Sequence, residues 1–236
     1  MDTLQAQQLV KSHYFTQLGC YFSSVCWTDA HVSAASLIPG IVWCHTYLPH
    51  SGIDALRTVD SDAVYLDGVI DSPPLGWRID DQEVWMHYAN PSLSCGYSSL
   101  FQIELEQVSA FDSRYLNLIC SSFDHWHAIA LKESVKSAKI DRRFYLAKIE
   151  DGVVGAFSIH RNGGFAAIHD VCIEPGCRNN GLASPLLGKV VSFCRDARII
   201  YLQSEKGWIS KLYERNGFVV FHERTGLSRV NSLNES

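Results

Sequence analysis

The residues best suited to chemistry lie within 167–187, where an apolar strand runs into a turn and then a helix. The strand ends at Pro175, the turn carries Arg178, and Gly181 opens the helix. The first N–H groups of a helix lack intrahelical partners, and the helix dipole adds positive potential there. Gly181 and Ala183 have little bulk, so a phosphate can approach the backbone, and Arg178 can add a charge-assisted hydrogen bond. The segment is therefore predicted to bind an anion such as a pyrophosphate, with Asn179 or Asn180 available to cap the helix.

The elements that must position this segment follow a regular order. Hydrophobic periodicity and turn residues predict a strand, two helices, three antiparallel strands, a helix, a strand, a helix and a final strand. The predicted ranges are 102–108, 110–122, 126–135, 144–149, 153–160, 165–173, 182–193, 199–203, 208–215 and 218–221. This order predicts a mixed α/β (α+β) fold with a mostly antiparallel central sheet flanked by helices.

The first half of the chain is less regular. Helices are predicted over 4–18 and 51–59, strands over 21–27 and 84–88, and the polar stretch 91–99 is the best linker candidate. Leu-Gly-Trp-Arg-Ile at 75–79 is similar to Asn-Gly-Phe-Val-Val at 216–220, which indicates a diverged internal repeat. We therefore expect a smaller N-terminal domain at 1–98 and a second domain at 99–236.

Composition excludes several classes of protein. The chain is 47% hydrophobic and 19% charged, which is typical of a globular protein. Its longest apolar stretch, 32–48, contains Pro39, Gly40 and His45, and no secretory signal is recognisable, so neither a membrane span nor export is expected. The eight cysteines form no C-x-x-C pair, which indicates reduced thiols, a cytoplasmic protein and no metal site. The first 99 residues carry three basic and ten acidic side chains, which argues against a nucleic-acid partner.

Two motifs in the second half resemble a known family. The R-x-x-G-x-A run from Arg178 to Ala183, directly after the V-x-I-x-P strand end at 171–175, resembles the coenzyme A-binding motif of the GNAT acetyltransferase superfamily. Lys-Leu-Tyr-Glu-Arg-Asn-Gly-Phe at 211–218 resembles the L-Y-E-x-x-G-F segment of that superfamily. The motifs stand in the family's order with a strand between them, and the resemblance spans 102–236. The N-terminal domain would then be a degenerate GNAT-like unit.

The resemblance implies an acetyl-CoA-dependent N-acetyltransferase in which a primary amine of a small molecule or peptide attacks the thioester directly in a ternary complex. Backbone groups of the strand end would pair with the pantetheine arm, and a backbone N–H there would stabilise the oxyanion. The strand residues implied are Val171, Cys172 and Ile173. The N–H groups implied to hold the pyrophosphate are those of Asn179, Asn180, Gly181, Leu182, Ala183 and Ser184.

The resemblance also suggests the groups that transfer protons. Tyr213 matches the tyrosine that in many members protonates the departing thiolate, the alternative being that its ring only packs under the cofactor. The amine must lose a proton, and Asp170 and His169 lie on the relevant strand. Adjacent strand residues point to opposite faces, so one of the two is expected to face the substrate, with Asp170 favoured. The remaining alternative is a water chain, with His169 a core histidine.

One departure from the family concerns the residue seven positions before the tyrosine. It is asparagine in many members and Lys206 here, so Ser204, Lys206 or Ser210 would have to replace its contact to the cofactor. The glycine of Gly-x-Gly is also replaced, by Ala183, which the family tolerates.

The acceptor is left open by the sequence. Residues 1–98 are expected to form a lid or substrate wall, to which Trp27, Trp43, Trp77 or Trp85 could contribute, and their acidic character suits a cationic amine. The alternatives are an enzyme that acetylates protein lysines or N-termini, and a non-catalytic acyl-CoA-binding module. Monomer and homodimer both remain open.

Overall fold

The computed structural model describes residues 5, 7–11, 63–89, 101–123, 131 and 141–230, together with the backbone of three strands within 25–48. Residues 7–11 are helical, as predicted. The predicted helix over 51–59, the linker at 91–99, nearly all of the predicted helix over 126–135 and the side chains of Trp27 and Trp43 lie outside these residues.

Besides the helical residues 7–11, the described part of the chain contains eleven strands and three α-helices. The strands are β1 (Val25–Asp29), β2 (Val32–Ile38), β3 (Ile41–Leu48), β4 (Ala63–Asp67), β5 (Trp77–Tyr88), β6 (Glu104–Val108), β7 (Arg142–Ile149), β8 (Gly152–Asn162), β9 (Phe165–Ile173), β10 (Ile199–Glu205) and β11 (Phe218–Arg229). The helices are α1 (Ser113–Ser122), α2 (Ala183–Phe193) and α3 (Trp208–Arg215), and a short 3₁₀ turn covers Pro175–Cys177.

The strands form one sheet in the order β1-β2-β3-β4-β11-β5-β10-β9-β8-β7-β6. Neighbours are antiparallel except for the parallel pairs β3–β4 and β9–β10. The prediction of a mixed α/β fold with a mostly antiparallel central sheet flanked by helices is therefore confirmed.

The strand order is nearly symmetric about its centre. The run β1-β2-β3 followed by the parallel strand β4 repeats the arrangement of β7-β8-β9 followed by β10. The two halves exchange their last strands: β5 lies between β11 and β10, and β11 lies between β4 and β5. The β5–β11 pair runs from Trp77 opposite Arg229 to Tyr88 opposite Phe218, so each strand begins where the other ends. The similarity between 75–79 and 216–220 thus marks the starts of two equivalent strands.

Both faces of the second half of the sheet are covered by helices. On one face α1 buries Tyr115, Leu118 and Ile119 against β7 and β8. On the other face α2 and α3 pack on a larger cluster that includes Phe157 and Ile168. We call these the α1 face and the α2 face.

β5, one of the two exchanged strands, is deeply buried between the two halves of the sheet. Val84, Trp85 and Met86 at the centre of β5 are at most 2% exposed, and Trp77 at its start is also buried. Trp77 and Trp85, both considered as lining of a substrate wall, pack in the core around these strands.

Two strands extend furthest beyond their predicted ranges. β11 continues from the predicted end at 221 to Arg229, and β5 begins at Trp77 rather than at 84. Most of the added residues are polar, and cross-strand pairs engage several of them: Arg224 binds Glu83, and His222 contacts Asp67 at 3.1 Å. The apolar stretch 32–48 contains the antiparallel strands β2 and β3. No helix in the described residues combines the length and apolarity needed to cross a membrane.

Candidate active site

The parallel strands β9 and β10 pair over four residues and then separate. Their register ends at Ile168 opposite Leu202. Beyond that point β10 continues beside β5 alone, and the end of β9 continues beside β8, with Cys172 opposite Ala156. Residues 169–173 therefore leave one strand edge without a neighbouring strand, and we call the opening between 169–173 and 203–205 the fork. An extended ligand can add to such an edge through backbone hydrogen bonds.

A β-bulge marks the start of the fork. The β8–β9 register shifts so that Asp170 and Val171 lie opposite the single residue Phe157. Asp170 has a φ of 56°, which is unusual for a residue other than glycine. A bulge of this kind re-aims side chains and peptide groups locally.

The bulge corrects the expectation that His169 and Asp170 point to opposite faces. His169 lies opposite Ser158, and the Ser158 hydroxyl donates a hydrogen bond of 2.6 Å to Asp170 Oδ2. Both residues therefore lie on the α1 face. The rule of alternation fails here because β9 carries one extra residue between His169 and Cys172, which pair with Ser158 and Ala156.

The Asp170 carboxylate is already engaged by the protein. Its Oδ2 also accepts hydrogen bonds from Arg142 Nη2 at 2.5 Å and Tyr115 Oη at 3.1 Å. The Asp170 side chain is 3% exposed. A carboxylate that accepts from three donors holds a proton weakly, so these contacts favour His169 over Asp170 as a proton acceptor.

The turn after β9 leads into the first amides of α2. Asn179 and Gly181 have φ values of 64° and 74°, and 178–181 are exposed whereas Leu182 is buried. Leu182 is the N-cap and makes no side-chain cap hydrogen bond, so the expected cap by Asn179 or Asn180 is wrong. A leucine cap leaves the first-turn amides available to a ligand, as an anion-binding terminus requires.

Arg178 is held by the protein rather than extended from the turn. Its Nε donates to the Ile173 carbonyl at 3.1 Å, and its Nη2 donates to Ser122 Oγ at 3.2 Å. These bonds tie the end of β9 to the end of α1, so Arg178 stabilises the turn in addition to any contact with a phosphate.

Tyr213 is buried in α3 on the α2 face of the sheet. Its ring packs edge-on against Phe218 with centroids 5.7 Å apart. Burial, and secondarily the neighbouring Cys172 thiol, raises the pKa of Tyr213 above the ordinary tyrosine value. The hydroxyl therefore keeps its proton at neutral pH and is able to donate it.

The three candidates to replace the missing asparagine all contact other protein groups. Lys206 Nζ binds Glu223 at 2.7 Å, Ser204 Oγ donates to the Glu205 carbonyl, and Ser210 Oγ bonds the Gly207 backbone.

An asparagine does reach the first turn of α2 from elsewhere. Asn216 Nδ2 donates to Ser184 Oγ at 3.0 Å and to the Leu212 carbonyl at 2.8 Å. Asn216 thereby joins the end of α3 to the start of α2. Sequence reasoning predicted only a turn at Asn216, because its partner Ser184 is 32 residues away.

Gln203 is a further polar residue at the fork that the sequence did not single out. Ile168 and Leu202 are paired on the α2 face, so the next residues, His169 and Gln203, lie side by side on the α1 face. Within the described residues, Gln203 Nε2 is buried and has no hydrogen-bond partner. A glutamine near a strand end gives no sequence signal that distinguishes it from a surface residue.

A metal ion is bound by several side chains that lie close together. In the part of the chain that the structure describes, no set of three or more His, Cys, Asp or Glu side chains is arranged to hold a metal ion.

Comparisons with known proteins agree with this geometry. Residues 141–220 match the model of the acetyltransferase (GNAT) domain. This range contains the bulge, the fork, the turn at 178–181 and Tyr213, so the family match covers the candidate site in the C-terminal part of the chain. No curated protein matches the chain in sequence.

Solved structures share the fold at low sequence identity. A functionally unknown conserved protein from Staphylococcus epidermidis is 14% identical with a TM-score of 0.63, covering 88% of this chain and 94% of its own. A protein assigned to the GNAT family from Novosphingobium aromaticivorans is 19% identical with a TM-score of 0.57, covering 92% of this chain and 96% of its own. A GCN5-related N-acetyltransferase from Kribbella flavida is 14% identical with a TM-score of 0.57, covering 92% and 93%. At these identities the likeness concerns the fold alone, and it extends over both halves of the chain.

Proposed function

We propose that this protein transfers the acetyl group of acetyl-CoA to a primary amine of a small molecule or peptide, by direct attack in a ternary complex. The observation that carries the proposal is the open fork between β9 and β10, which starts at the bulge and lies between the uncapped first turn of α2 and the buried Tyr213.

Each part of acetyl-CoA has a matching protein group. The diphosphate would accept hydrogen bonds from the amides of 179–184, where Gly181 brings the backbone close. The pantetheine arm would pair with Val171, Cys172 and Ile173 in place of the strand that β10 no longer provides. The thioester would then lie at the bulge, next to His169 and Gln203.

The proposed reaction needs one oxyanion donor, one base and one acid. The amine nitrogen attacks the thioester carbon, and the carbonyl oxygen becomes an oxyanion that the backbone N–H after the bulge stabilises. The nitrogen loses its proton to His169, directly or through water. Collapse of the adduct breaks the C–S bond, and Tyr213 donates its proton to the departing sulfur. Before the next cycle His169 releases its proton to solvent and Tyr213 regains one from solvent.

Gln203 is placed to recognise the acceptor. A buried amide N–H₂ without a partner costs about 1–3 kcal/mol, and a ligand oxygen would remove this cost. We therefore favour an acceptor that carries a carbonyl, carboxylate or hydroxyl oxygen near its amine, as amino acids, peptides and amino sugars do.

Replacing Gln203 is expected to stabilise the free protein. Gln203→Met removes the unpartnered donor at nearly constant volume, so the free energy of unfolding should rise by about 1 kcal/mol in urea titrations. Gln107→Met is the matched control, because Gln107 is exposed on β6 and accepts a hydrogen bond from Tyr145 at 3.4 Å. Gln107→Met should not raise the free energy of unfolding. A loss of stability in Gln203→Met would show that the amide is satisfied in the free protein.

A thiol-release assay tests the proposed function. Acetyl-CoA is offered with polyamines, amino acids, amino sugars and lysine peptides, and mass spectrometry identifies the acetylated product. Amine-dependent release of coenzyme A with an N-acetyl product supports the proposal. Tight binding without release for any acceptor would favour a non-catalytic acyl-CoA-binding module, and acetylation confined to protein lysines or N-termini would favour a protein acetyltransferase.

The cellular setting is also proposed. The cysteines that the structure describes with side chains, Cys120, Cys172, Cys177 and Cys194, are free thiols, which supports a reducing, cytoplasmic location. Residues 1–98 would complete the acceptor side, since β5 borders Gln203 through Trp85.

A further inference from the structure

A buried polar cluster lies directly behind the bulge. It joins Asp170 of β9 to Arg142 of β7, Ser158 of β8 and Tyr115 of α1. Arg142 Nε also donates to Ser158 Oγ at 2.9 Å, so the cluster is cross-linked. The side chains of Arg142 and Asp170 are 11% and 3% exposed. We call these four residues the bulge anchor.

The bulge anchor contains a buried charge pair, Arg142 and Asp170. Removing two charges from water costs free energy that offsets most of their mutual attraction, so a buried pair contributes little net stability. It can instead hold its neighbours in one geometry. Side chains from three elements converge on a single carboxylate oxygen here. The cluster is therefore suited to fix the position of Asp170 relative to three neighbouring elements.

What is fixed is a strained backbone position. A residue other than glycine at a φ of 56° persists only when its surroundings hold it there. The direction of the peptide group between Asp170 and Val171 depends on the backbone conformation of Asp170, and its N–H is the first amide of the fork beyond the bulge. If the carboxylate were released, the strand could relax toward regular pairing and turn this N–H away.

We propose that the bulge anchor positions the Val171 N–H to bind the thioester carbonyl, with Arg142, Tyr115 and Ser158 acting through Asp170 as positioning residues. This role rests on the proposed function, because it presupposes acetyl-CoA in the fork. It assigns to Asp170 a task that depends on its three hydrogen bonds to the protein, in contrast to that of a general base.

The partners of Asp170 suit a permanent role. Burial, and then the charge of Asp170, raises the pKa of Tyr115 well above its ordinary value, so its hydroxyl remains a donor at every working pH. Arg142 stays charged in proteins. The anchor is therefore assembled before any substrate arrives.

The test compares acetyl-CoA with S-ethyl-coenzyme A, which has a methylene group in place of the carbonyl. The ratio of their dissociation constants reports the carbonyl contact alone, whereas the diphosphate and pantetheine contacts cancel. One hydrogen bond to the carbonyl should make wild-type protein prefer acetyl-CoA by about tenfold in calorimetry. In Asp170→Asn and Tyr115→Phe the preference should fall to about twofold or less, with the affinity for S-ethyl-coenzyme A within about twofold of wild type.

Both substitutions are expected to preserve the fold. Asparagine tolerates a positive φ, and phenylalanine retains the ring that packs against Phe144. Arg142→Met is the stronger change, but it leaves a buried carboxylate without its cation. Arg143→Met is the matched control, because the exposed Arg143 pairs with Asp141 at 2.9 Å, and its ratio should equal that of wild type.

A spectroscopic measurement separates positioning from general stability. With [1-¹³C]acetyl-CoA, the carbonyl stretch should lie at lower frequency in the wild-type complex than in the two variant complexes. An unchanged ratio and stretch in folded variants would overturn the positioning role, and so would equal loss of both ligands. A ratio of the two dissociation constants near one in wild-type protein would also overturn the positioning role. Failure of wild-type protein to bind either ligand would instead reject the proposed function, and the inference with it.

Discussion

Gly181→Trp is expected to weaken acetyl-CoA binding by at least about 100-fold. Gly181 has a φ of 74°, and the space into which a side chain would extend is open. An indole there would occupy the place of the diphosphate and would strain the turn that presents the amides of 179–184. Each hydrogen bond to a charged ligand contributes about 1.5–3 kcal/mol, so loss of two accounts for the expected change. Isothermal titration calorimetry measures it.

Gly163→Trp controls for the strain and for the added tryptophan. Gly163 also has a positive φ, 55°, and also faces open space, but it lies in the β8–β9 turn. Its affinity for acetyl-CoA should match wild type. If Gly181→Trp left the dissociation constant for acetyl-CoA unchanged, the proposal that the diphosphate binds at this turn would be wrong.

Tyr213→Phe is expected to lower kcat by about 100-fold or more, because a general acid typically contributes 10²–10⁴. The affinity for acetyl-CoA should change little, since the ring and its contact with Phe218 remain. Tyr145→Phe is the control, as Tyr145 is a buried tyrosine whose hydroxyl donates to Gln107 on the edge strand β6, three strands from β9. A kcat within about threefold of wild type in Tyr213→Phe would reduce Tyr213 to a packing role.

The pH dependence gives a second readout of Tyr213. A general acid works while protonated, so its contribution is complete below its pKa and is lost as pH rises through that value. Burial raises the pKa of Tyr213, so the alkaline loss of kcat should lie above the ordinary tyrosine value of about 10. That loss should be absent from the residual activity of Tyr213→Phe. An alkaline limb of the same position in both proteins would belong to another group.

The parts of the fold that sequence predicts well are those fixed by short-range patterns. The bounds of β9 and α3 were predicted correctly, since apolar periodicity and flanking glycines define both. The turn at Gly181 and the helix that follows it were predicted because both depend on local sequence. Likewise, the similarity of 75–79 to 216–220 indicated two equivalent strands.

The parts that could not be predicted depend on partners distant in sequence. β11 extends through His222 and Arg224 only because β4 and β5 supply Asp67 and Glu83 beside them. The exchange of β5 and β11 is likewise a property of the assembled sheet. No single segment encodes it.

The candidate site shows the same division. Asp170 was singled out as a polar residue on the right strand, but its role depends on Arg142, Tyr115 and Ser158, which belong to three other elements. The bulge that turns His169 and Asp170 to one face leaves the alternating pattern of 165–173 intact in the sequence. The contacts of the Asp170 carboxylate that accompany the bulge are visible only in three dimensions.

A crystal structure with acetyl-CoA tests the central claim most directly. The diphosphate oxygens should lie within hydrogen-bond distance of the amides of 179–184. The thioester carbonyl should lie at the bulge between β9 and β10, with Tyr213 near the sulfur. A cofactor bound at any other place on the sheet, or a fork closed by the protein itself, would contradict acetyl transfer at this site.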